Sequence, residues 1–433
     1  MFTFPQETNR AHVKLITTRQ EFSALTVCHR SITDLKRTHV LFSMSTSSFA
    51  NGVLIYWNEA NKQFSPYIRD ISIGFQRQDY ESDMWHSICT TWDSGSGLMQ
   101  LWIDGKPSIR KFVTSGSSIK GSPIIMIGQE QDSYGGGFDA KQSFVGMMSD
   151  VHMWDHILTP CEIQDYMAEM YFTPGNVLNW SALEFQIVDR VYTLSHTTTT
   201  TSTTATAFKM ALLLLLAMLT VCAAIPQDMS GKMFTFPQQT NTAHVRLTTS
   251  RQKLGAVTVC FRSFTDLRRL HSFFSLATPS TINQFMIQRG GSQDVFEFFI
   301  RDQMISFVGQ NYELNTWHSI CSTWNASSGL AQLWIDGKPS SRKLIPSKTN
   351  INGPIIIVLG QDQDSYGGGF DINQSFVGMM SDVHMWDYVL HSCDIQDYAG
   401  DPNLLPGNVL NWKNLEFQTV GTVVVEEKNT CHF

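Results

Sequence analysis

The chain has 433 residues, of which 42% are hydrophobic and 16% charged, and its formal net charge is −7. This length accommodates two or three domains that each bury a core of their own. The acidic balance offers no basic surface of the kind that binds nucleic acid, so we expect no nucleic-acid partner.

The same domain occurs twice along the chain. The segment MFTFPQETNRAHVKL at Met1 returns as MFTFPQQTNTAHVRL at Met233, and the same offset of 232 residues recurs in later segments such as QDSYGGGFD. A constant offset of this size indicates a duplicated domain and not a solenoid, with almost no insertion or deletion between the copies. We therefore predict one domain, copy 1, over residues 1–191 and a second, copy 2, over residues 225–433.

The segment between the copies differs from both in composition. Residues 192–208 are rich in Thr and are predicted to be a disordered linker, because they have little to bury. Residues 209–224 combine a Lys, an apolar run and a small-residue exit, which is the pattern of a secretory signal peptide and is too short to span a bilayer comfortably. A signal in mid-chain leads to the hypothesis that two secreted units are joined in one reading frame, which a single intact polypeptide across this segment would contradict. The signal predicts a secreted, extracellular protein, and a signal anchor in the membrane is the minority alternative.

Strand patterns predominate in both copies. Met99, Leu101 and Ile103 alternate with other residues at the period of a β-strand, and Asp104-Gly105 follows as a hairpin turn. Copy 2 repeats the pattern. Short strands separated by Gly, Ser, Asn and Asp predict an all-β chain in which each copy folds as a β-sandwich of two sheets.

One helix is predicted in each copy. Thr159, Pro160 and Glu162 have the spacing of a capping box, with Thr as N-cap, Pro at the first helical position and Glu at the third. The helix is expected to run to about Met170, and Ser392 begins its counterpart in copy 2.

Six of the eight cysteines recur at matched positions. Two pairs have the same separation in the sequence: Cys28 with Cys89, and Cys260 with Cys321. In a secreted β-sandwich this favours one disulfide bond per domain over two buried free thiols. Cys161 is left unpaired in copy 1, whereas Cys393 and Cys431 can pair in copy 2 or link subunits.

An acidic, Gly-rich loop spans Gln129 to Gln142 and has a counterpart in copy 2. It carries carboxylates on Glu130, Asp132 and Asp139, and its glycines allow a tight turn in which these oxygens converge. Calcium prefers six to eight oxygen ligands of this kind. Carboxylates packed closely repel one another unless a cation neutralises them. The residues alone leave two interpretations open, a calcium site and a solvated acidic turn.

The sequence contains no H-E-x-x-H, G-x-S-x-G or Walker-type segment. Its grouped carboxylates are compatible with a β-sandwich glycosidase, which needs an acid and a base on either side of a sugar. Because they share one short loop with amide side chains, they suit metal coordination better. We therefore predict a binding protein and not an enzyme, with a glycosidase or a laminin-G-like adhesion module as the alternatives.

Both copies resemble the short pentraxin family outside residues 192–232, through segments that follow the family's order: SICTTWDS, LWIDGKP, GQEQDSYGGGFD, FVGMMSDVHMWD and NVLNW. One departure is that Ser87 stands where the family has His, and His86 lies one place earlier. The resemblance implies a lectin-like β jelly roll with one helix, assembled as a cyclic homo-oligomer, commonly a pentamer. It also implies a calcium-dependent pattern-recognition protein of acute-phase innate immunity. Such a protein binds phosphocholine-like or anionic polysaccharide ligands and recruits complement-initiating partners.

The resemblance further implies the residues of the site. Two calcium ions per domain would be held by Asn51, Glu130, Gln131 (through its main-chain carbonyl), Asp132, Asp139 and Gln142 in copy 1, and by Asn283, Asp362, Gln363, Asp364, Asp371 and Gln374 in copy 2. The ammonium group of choline would lie against Tyr56 and Asp70, whose counterparts in copy 2 are Gln288 and Asp302.

Two departures from the family weaken the expected calcium sites. An Asp that belongs to the first site is replaced by Ala50 in copy 1 and by Ile282 in copy 2. Asp362 replaces the Glu that bridges the two ions, so it is one methylene shorter than Glu130. We therefore expect copy 2 to bind calcium more weakly than copy 1. We also expect it to bind choline more weakly, because Gln288 removes an aromatic surface.

Overall fold

The computed structural model describes residues 1–76, 78–193, 226–292, 294–345 and 349–428. The predicted signal-like segment and residues 194–208 of the predicted linker lie outside these ranges. Within the described residues, both copies consist of antiparallel sheets and one α-helix, so the predicted fold class is confirmed. No helix in the described ranges has the length and apolar character needed to cross a membrane.

The strands of copy 1 are β1 (Phe2–Phe4), β2 (His12–Leu15), β3 (Glu21–Phe22), β4 (Ala24–Ile32), β5 (His39–Thr46), β6 (Phe49–Asn58), β7 (Gln63–Phe64), β8 (Tyr67–Ile68), β9 (Ile71–Ser72), β10 (Phe75–Gln76), β11 (His86–Asp93), β12 (Leu98–Ile103), β13 (Lys106–Pro107), β14 (Lys111–Phe112), β15 (Ile119–Lys120), β16 (Ile124–Ile127), β17 (Gly146–Trp154), β18 (Phe185–Val188) and β19 (Tyr192–Thr193). One sheet has the order β13-β12-β11-β4-β17-β1-β19, and the other has the order β10-β7-β6-β5-β16-β2-β18. Because β19 pairs with β1, the fold of copy 1 extends two residues past the predicted boundary at residue 191.

The strands of copy 2 are β20 (Lys232–Phe236), β21 (His244–Leu247), β22 (Lys253–Leu254), β23 (Ala256–Phe264), β24 (His271–Thr278), β25 (Thr281–Arg289), β26 (Val295–Ile300), β27 (Gln303–Val308), β28 (His318–Asn325), β29 (Leu330–Ile335), β30 (Lys338–Pro339), β31 (Lys343–Leu344), β32 (Ile351–Asn352), β33 (Ile356–Leu359), β34 (Gly378–Trp386), β35 (Phe417–Val420) and β36 (Val424–Glu427). The sheet orders β30-β29-β28-β23-β34-β20-β36 and β27-β26-β25-β24-β33-β21-β35 repeat the topology of copy 1. The duplicated sequence therefore folds into duplicated architecture.

The main core of each copy lies between its two sheets and includes the fully buried Trp92 in copy 1 and Trp324 in copy 2. A smaller apolar cluster covers the outer face of one sheet in copy 1, where Trp102, Trp154 and Tyr166 pack around the Cys28–Cys89 disulfide bond. Copy 2 has the same second cluster. Burial on both faces stiffens the central strands that support the loops at the sheet edge.

The helices are α1 (Pro160–Met167) and α2 (Ser392–Gly400). The predicted capping box of α1 is present, because the Thr159 side chain accepts a hydrogen bond from the Glu162 amide and the Glu162 side chain accepts one from the Thr159 amide. The helix ends at Met167 and does not reach the expected Met170. Glu169 adopts a φ of 58°, and this left-handed conformation prevents another helical turn.

The disulfide bonds Cys28–Cys89 and Cys260–Cys321 are both present, as predicted. Each joins directly paired residues of neighbouring strands, so both are bonds within a sheet. Cys161 is also disulfide-bonded, so the expectation that it stays unpaired was wrong. Cys393 is an exposed free thiol. Cys431 lies outside the described residues.

Candidate functional site

The acidic loop of copy 1 connects β16 to β17 and is fastened to the sheet by the buried side chain of Gln131. Its Nε2 donates to the carbonyl oxygens of Ser43 (3.3 Å) and Ile124 (3.0 Å). Its Oε1 accepts hydrogen bonds from Ser45 Oγ (2.7 Å) and the Gly135 amide (3.2 Å). Both the nitrogen and the oxygen of the Gln131 side-chain amide are hydrogen-bonded within the protein. Only the main-chain carbonyl of Gln131 is therefore available to a cation.

Negative charge is concentrated in this loop. Glu130 is half-buried, and burial together with the charges of Asp132 and Asp139 raises its pKa to about 7. The three predicted carboxylates therefore lie close enough to repel one another. A bound cation would instead lower the pKa of Glu130, because it favours the ionised form of the carboxylates.

Two amide oxygens near the loop lack hydrogen-bond partners. Asn51 Oδ1 and Gln142 Oε1 are both buried and accept no hydrogen bond. Gln142 is held in place by the short 3₁₀ turn Ala140–Gln142. Asp139 caps this turn, because its Oδ1 accepts a hydrogen bond from the Lys141 amide at 2.9 Å. A buried acceptor without a partner costs about 1–3 kcal/mol, so such atoms are uncommon in folded proteins. A hard, oxygen-seeking cation would satisfy both.

Copy 2 repeats these features at the matched positions. Asn283 Oδ1 and Gln374 Oε1 are again buried without partners, and so is Oδ1 of Asp362. Burial and the neighbouring charge of Asp364 raise the pKa of Asp362 to about 7. Gln363 is fastened as Gln131 is, with Nε2 donating to a strand carbonyl at 2.9 Å. The same group of buried oxygen atoms without hydrogen-bond partners therefore occurs in both copies.

The donor set fits calcium better than a metal bound by His or Cys. The described residues contain no group of three or more His, Cys, Asp or Glu side chains arranged to hold a metal ion. A cation in either loop would therefore depend on amide and main-chain oxygens as well as carboxylates, which is the ligand mixture that calcium accepts. Ala50 and Ile282 add no side-chain oxygen, and the weakness of the first site stays a prediction.

The two residues predicted to bind choline are not brought together. Asp70 lies beside Asn51, whose amide donates to Asp70 Oδ1 at 2.7 Å. Tyr56 is half-buried and stacks on Tyr67 with ring centroids 5.9 Å apart. Asn51 and Tyr56 both lie on β6, and a strand rise of about 3.3 Å per residue places their Cα atoms about 16 Å apart. Asp70 thus lies at the candidate metal site, and Tyr56 lies farther along the strand.

The corresponding part of copy 2 is polar. Asp302 Oδ1 accepts a hydrogen bond from the Asn283 amide at 3.3 Å, as Asp70 does in copy 1. Gln288 is buried, and its Nε2 donates to Glu297 Oε2 at 2.6 Å. Copy 2 therefore presents a closed hydrogen-bonded pair where copy 1 presents a tyrosine ring.

The Pentaxin family profile matches residues 1–194 and residues 232–427. The chain belongs to the Pentaxin family. The two matched ranges include every predicted site residue of both copies, so this pentaxin carries two units in tandem.

Each of the following relatives aligns over less than half of this chain, about the length of one unit. Serum amyloid P-component of Mus musculus is 38% identical over 202 residues, which are 46% of this chain and 89% of that protein. Jeltraxin of Lepidobatrachus laevis is 41% identical over 192 residues, 44% of this chain and 84% of that protein. C-reactive protein of Sus scrofa is 38% identical over 201 residues, 46% of this chain and 88% of that protein. A crystal structure of a heptameric SAP-like pentraxin from Limulus polyphemus is 25% identical and covers 48% of this chain and 99% of its own, with a TM-score of 0.44.

Sequence reasoning missed the residues that support the sites of this pentaxin. Ser43 and its match Ser275 accept the Gln131 and Gln363 amides through their main-chain carbonyls, and their recurrence at the same offset was the available signal. His86, noted only as displaced from the family position, lies 2.7 Å from Asp104 Oδ2 and anchors the hairpin turn. These contacts position elements and do not touch the candidate metal site.

Proposed function

We propose that this pentaxin is a secreted, calcium-dependent binding protein of innate immune recognition and not an enzyme. Its ligands are phosphocholine-like groups or anionic polysaccharides. The observation that carries the proposal is the set of four buried amide oxygens without partners, at matched positions in both copies, beside carboxylates with raised pKa values. Its relatives named serum amyloid P-component and C-reactive protein support the same class of function.

The proposed calcium ligands of copy 1 are the oxygens of Asn51, Glu130, Asp132, Asp139 and Gln142 together with the Gln131 carbonyl, and copy 2 uses Asn283, Asp362, Asp364, Asp371 and Gln374 together with the Gln363 carbonyl. Calcium bound there would supply a positive field that suits a phosphate or an acidic sugar oxygen. Asp70 orients Asn51 through its main-chain amide. The number of ions per domain stays a prediction.

Tyr56 distinguishes the two copies as ligand sites. The ring of Tyr56 is half-buried and held by Tyr67, and a held aromatic face attracts a quaternary ammonium group. Gln288 offers no such face. We therefore assign choline recognition to copy 1 and anionic polysaccharide recognition to both copies. The ligand role of Asp70, a cyclic assembly of five subunits and complement-initiating partners stay predictions from the family resemblance.

The full chain is expected to bind immobilised phosphocholine in calcium and to be released by a chelator, with no turnover of the ligand. Tyr56→Ala should weaken this binding roughly 5-fold or more, because a desolvated cation–π contact contributes about 1–2 kcal/mol. Gln288→Ala changes the matched position of copy 2 and is the control. Equal retention with calcium and with chelator would refute the proposed function.

Exchanging the acids of the two loops is expected to exchange their calcium affinities. Glu130→Asp shortens the reach of the copy 1 carboxylate, and Asp362→Glu restores that reach in copy 2. Titration calorimetry on the full chain should show the tighter class of sites weakened by the first change and the weaker class tightened by the second. If Glu130→Asp leaves the titration unchanged, the carboxylate at this position does not bind the ion.

A further inference from the structure

A short segment ahead of the first strand of copy 2 covers one edge of that domain. Residues 226–230 run antiparallel to the chain at Leu415, where Gln227 and Leu415 exchange both main-chain hydrogen bonds, at 2.9 Å and 3.0 Å. The Met229 amide donates to the Trp412 carbonyl at 3.1 Å. These bonds set the register of the segment, and the Met229 side chain is fully buried in the main core of copy 2.

Aromatic rings form the surroundings of this methionine. Phe234 meets Trp412 and Phe417 edge to face, with ring centroids 5.3 Å and 4.9 Å apart, and all three belong to the same buried cluster as Met229. A thioether suits such a place, because its sulfur makes favourable contacts with aromatic rings. The name methionine groove is used here for Phe234, Trp412, Leu415 and Phe417 in copy 2 and for the matched Phe2, Trp180, Leu183 and Phe185 in copy 1.

The methionine groove of copy 1 has the same aromatic framework. The ring centroids of Phe2 and Trp180 lie 5.3 Å apart, those of Phe2 and Phe185 lie 4.9 Å apart, and both contacts are again edge to face. These distances equal those of copy 2, so the rings already have the arrangement that accommodates Met229. A site that is formed before its ligand arrives loses little free energy to ordering on binding.

The groove of copy 1 differs from that of copy 2 in its exposure to solvent. Phe185 is 41% exposed, whereas the matched Phe417 is 9% exposed. The tryptophan and the leucine of the groove are partly exposed in copy 1 and buried in copy 2. Large apolar side chains that are grouped at an exposed surface are typical of interaction sites. The same positions of a duplicated domain are thus covered in one copy and open in the other.

The main chain beside the copy 1 groove has hydrogen-bonding groups to offer. Among the residues that the structure describes, neither the amide nor the carbonyl of Leu183 makes a main-chain hydrogen bond, whereas the matched Leu415 uses both. Leu183 lies two residues before β18, which is the last strand of its sheet. The edge of a sheet is a template on which another extended chain can pair. Copy 1 therefore offers both the apolar groove and the main-chain partners that hold the segment in copy 2.

We propose that the methionine groove of copy 1 binds an extended segment of a partner polypeptide, with one methionine in the groove and main-chain pairing to Leu183. The segment of copy 2 defines the chemistry of this ligand, because polar residues 227–228 precede Met229 and small residues 230–231 follow it. The partner must present such a segment in an unfolded region, since main-chain pairing needs free amides and carbonyls. The groove contains none of the proposed calcium ligands, so this binding does not require calcium.

Titration calorimetry of the full chain with a peptide of residues 226–232, PQDMSGK with blocked termini, tests this proposal. We expect saturable binding at peptide concentrations up to about 1 mM, at one peptide per chain and equally in calcium and in chelator. Replacing the methionine of the peptide by serine should weaken binding at least ~10-fold, because the burial of its side chain is lost. Methylating the glutamine amide nitrogen of the peptide should weaken binding at least ~5-fold, because this amide donates to the Leu183 carbonyl. Neither change alters the protein.

Variants of the full chain locate the binding site. Phe185→Ser removes one aromatic ring of the copy 1 groove and should weaken binding of the unmodified peptide at least ~5-fold. Val188→Ser is the matched control, because Val188 is also exposed on β18 and alternation places it on the opposite face of the strand. Thermal unfolding of both variants shows whether each retains the wild-type fold.

The results separate the possible occupants of the groove. Binding that both altered peptides and Phe185→Ser weaken, and that Val188→Ser retains, supports the proposal. A lack of saturable binding, or equal binding of the altered peptides, would overturn it. Dimers of the full chain that the peptide disperses would identify residues 226–230 of a second chain as the occupant, and would also overturn the assignment to a separate partner. None of these results depends on calcium, so a failure here leaves the proposed function untouched.

Discussion

Removing calcium from the full chain is expected to lower the free energy of unfolding at neutral pH and to reverse its dependence on pH. Burial and neighbouring carboxylates raise the pKa of Glu130 from 4.5 to about 7, and burial and Asp364 raise that of Asp362 from 3.8 to about 7. An acid whose pKa is raised by folding stabilises the folded state while it is protonated. In chelator this contribution is present below about pH 4 and is lost as the pH rises through 7. Calcium binding requires the ionised acids, so in calcium the added stability grows over the same range.

The expected effects are large enough for calorimetric unfolding. The shift on Glu130 corresponds to at most about 3 kcal/mol, and its partial solvation reduces this to about 2 kcal/mol. Calcium at about 100 times its dissociation constant adds about 2.7 kcal/mol at high pH. Calorimetric unfolding of the full chain at about pH 5 and pH 8, each with calcium and with chelator, gives the free energy of unfolding under all four conditions.

Glu130→Gln and Asp362→Asn remove the titrating groups and keep the shapes of the side chains. Each variant should lose the pH dependence in chelator and the calcium response of its own copy. Glu184→Gln, at an exposed position outside the loop, is the matched control. A Glu130→Gln chain that keeps the full calcium response would show that the ion binds elsewhere.

His29→Phe is expected to protect copy 1 from acid unfolding. His29 lies within strand β4, and neither of its ring nitrogens has a hydrogen-bond partner. Burial lowers its pKa from 6.5 to about 3. A base whose pKa is lowered by folding contributes stability above pH 6.5, and this stability is lost as the pH falls towards 3. By about pH 4.5 the loss should reach roughly 2–3 kcal/mol, and the Phe variant should avoid it.

Copy 2 supplies the reciprocal test. Phe261 is buried at the position that matches His29, so Phe261→His should give copy 2 the acid sensitivity that copy 1 loses. Unfolding is followed from about pH 7 to pH 4.5, and each variant is compared with wild type so that other titrating groups cancel. An unchanged acid midpoint in His29→Phe would show that protonation of this residue does not limit the stability of copy 1.

Local patterns predicted much of the fold. The Asp104-Gly105 turn has φ values of 48° and 79°, as the primed hairpin turn requires, and Thr159 caps α1 as its spacing indicated. The alternation in β12 was less informative. Gln100 is buried and its amide donates to the Ser108 carbonyl at 2.7 Å, so the second face of the strand is also covered. Coverage by a distant segment leaves no trace in the periodicity of one strand.

The candidate site was also predictable only in part, from local patterns and not from contacts between distant segments. The residue types of Glu130, Asp139 and Gln142 were enough to propose a calcium site beside the alternative of a solvated acidic turn, because they lie within one short loop of the sequence. The position of Asp70 beside Asn51 was not predictable, because it depends on the pairing of β6 with β8 and on a left-handed φ of 63° at Asp70. Contacts made across strands need the register, which short motifs do not encode.

The substitution of Gln288 for the tyrosine of copy 1 has a geometric consequence for any target surface. Within one chain the tyrosine occurs in copy 1, and Gln288 holds the matched position of copy 2. Under the proposed function, each chain would bind a choline headgroup at one domain and acidic sugars at both. A surface rich in acidic sugars would then engage both domains of a chain and gain avidity, whereas a surface that offers choline alone would engage one domain.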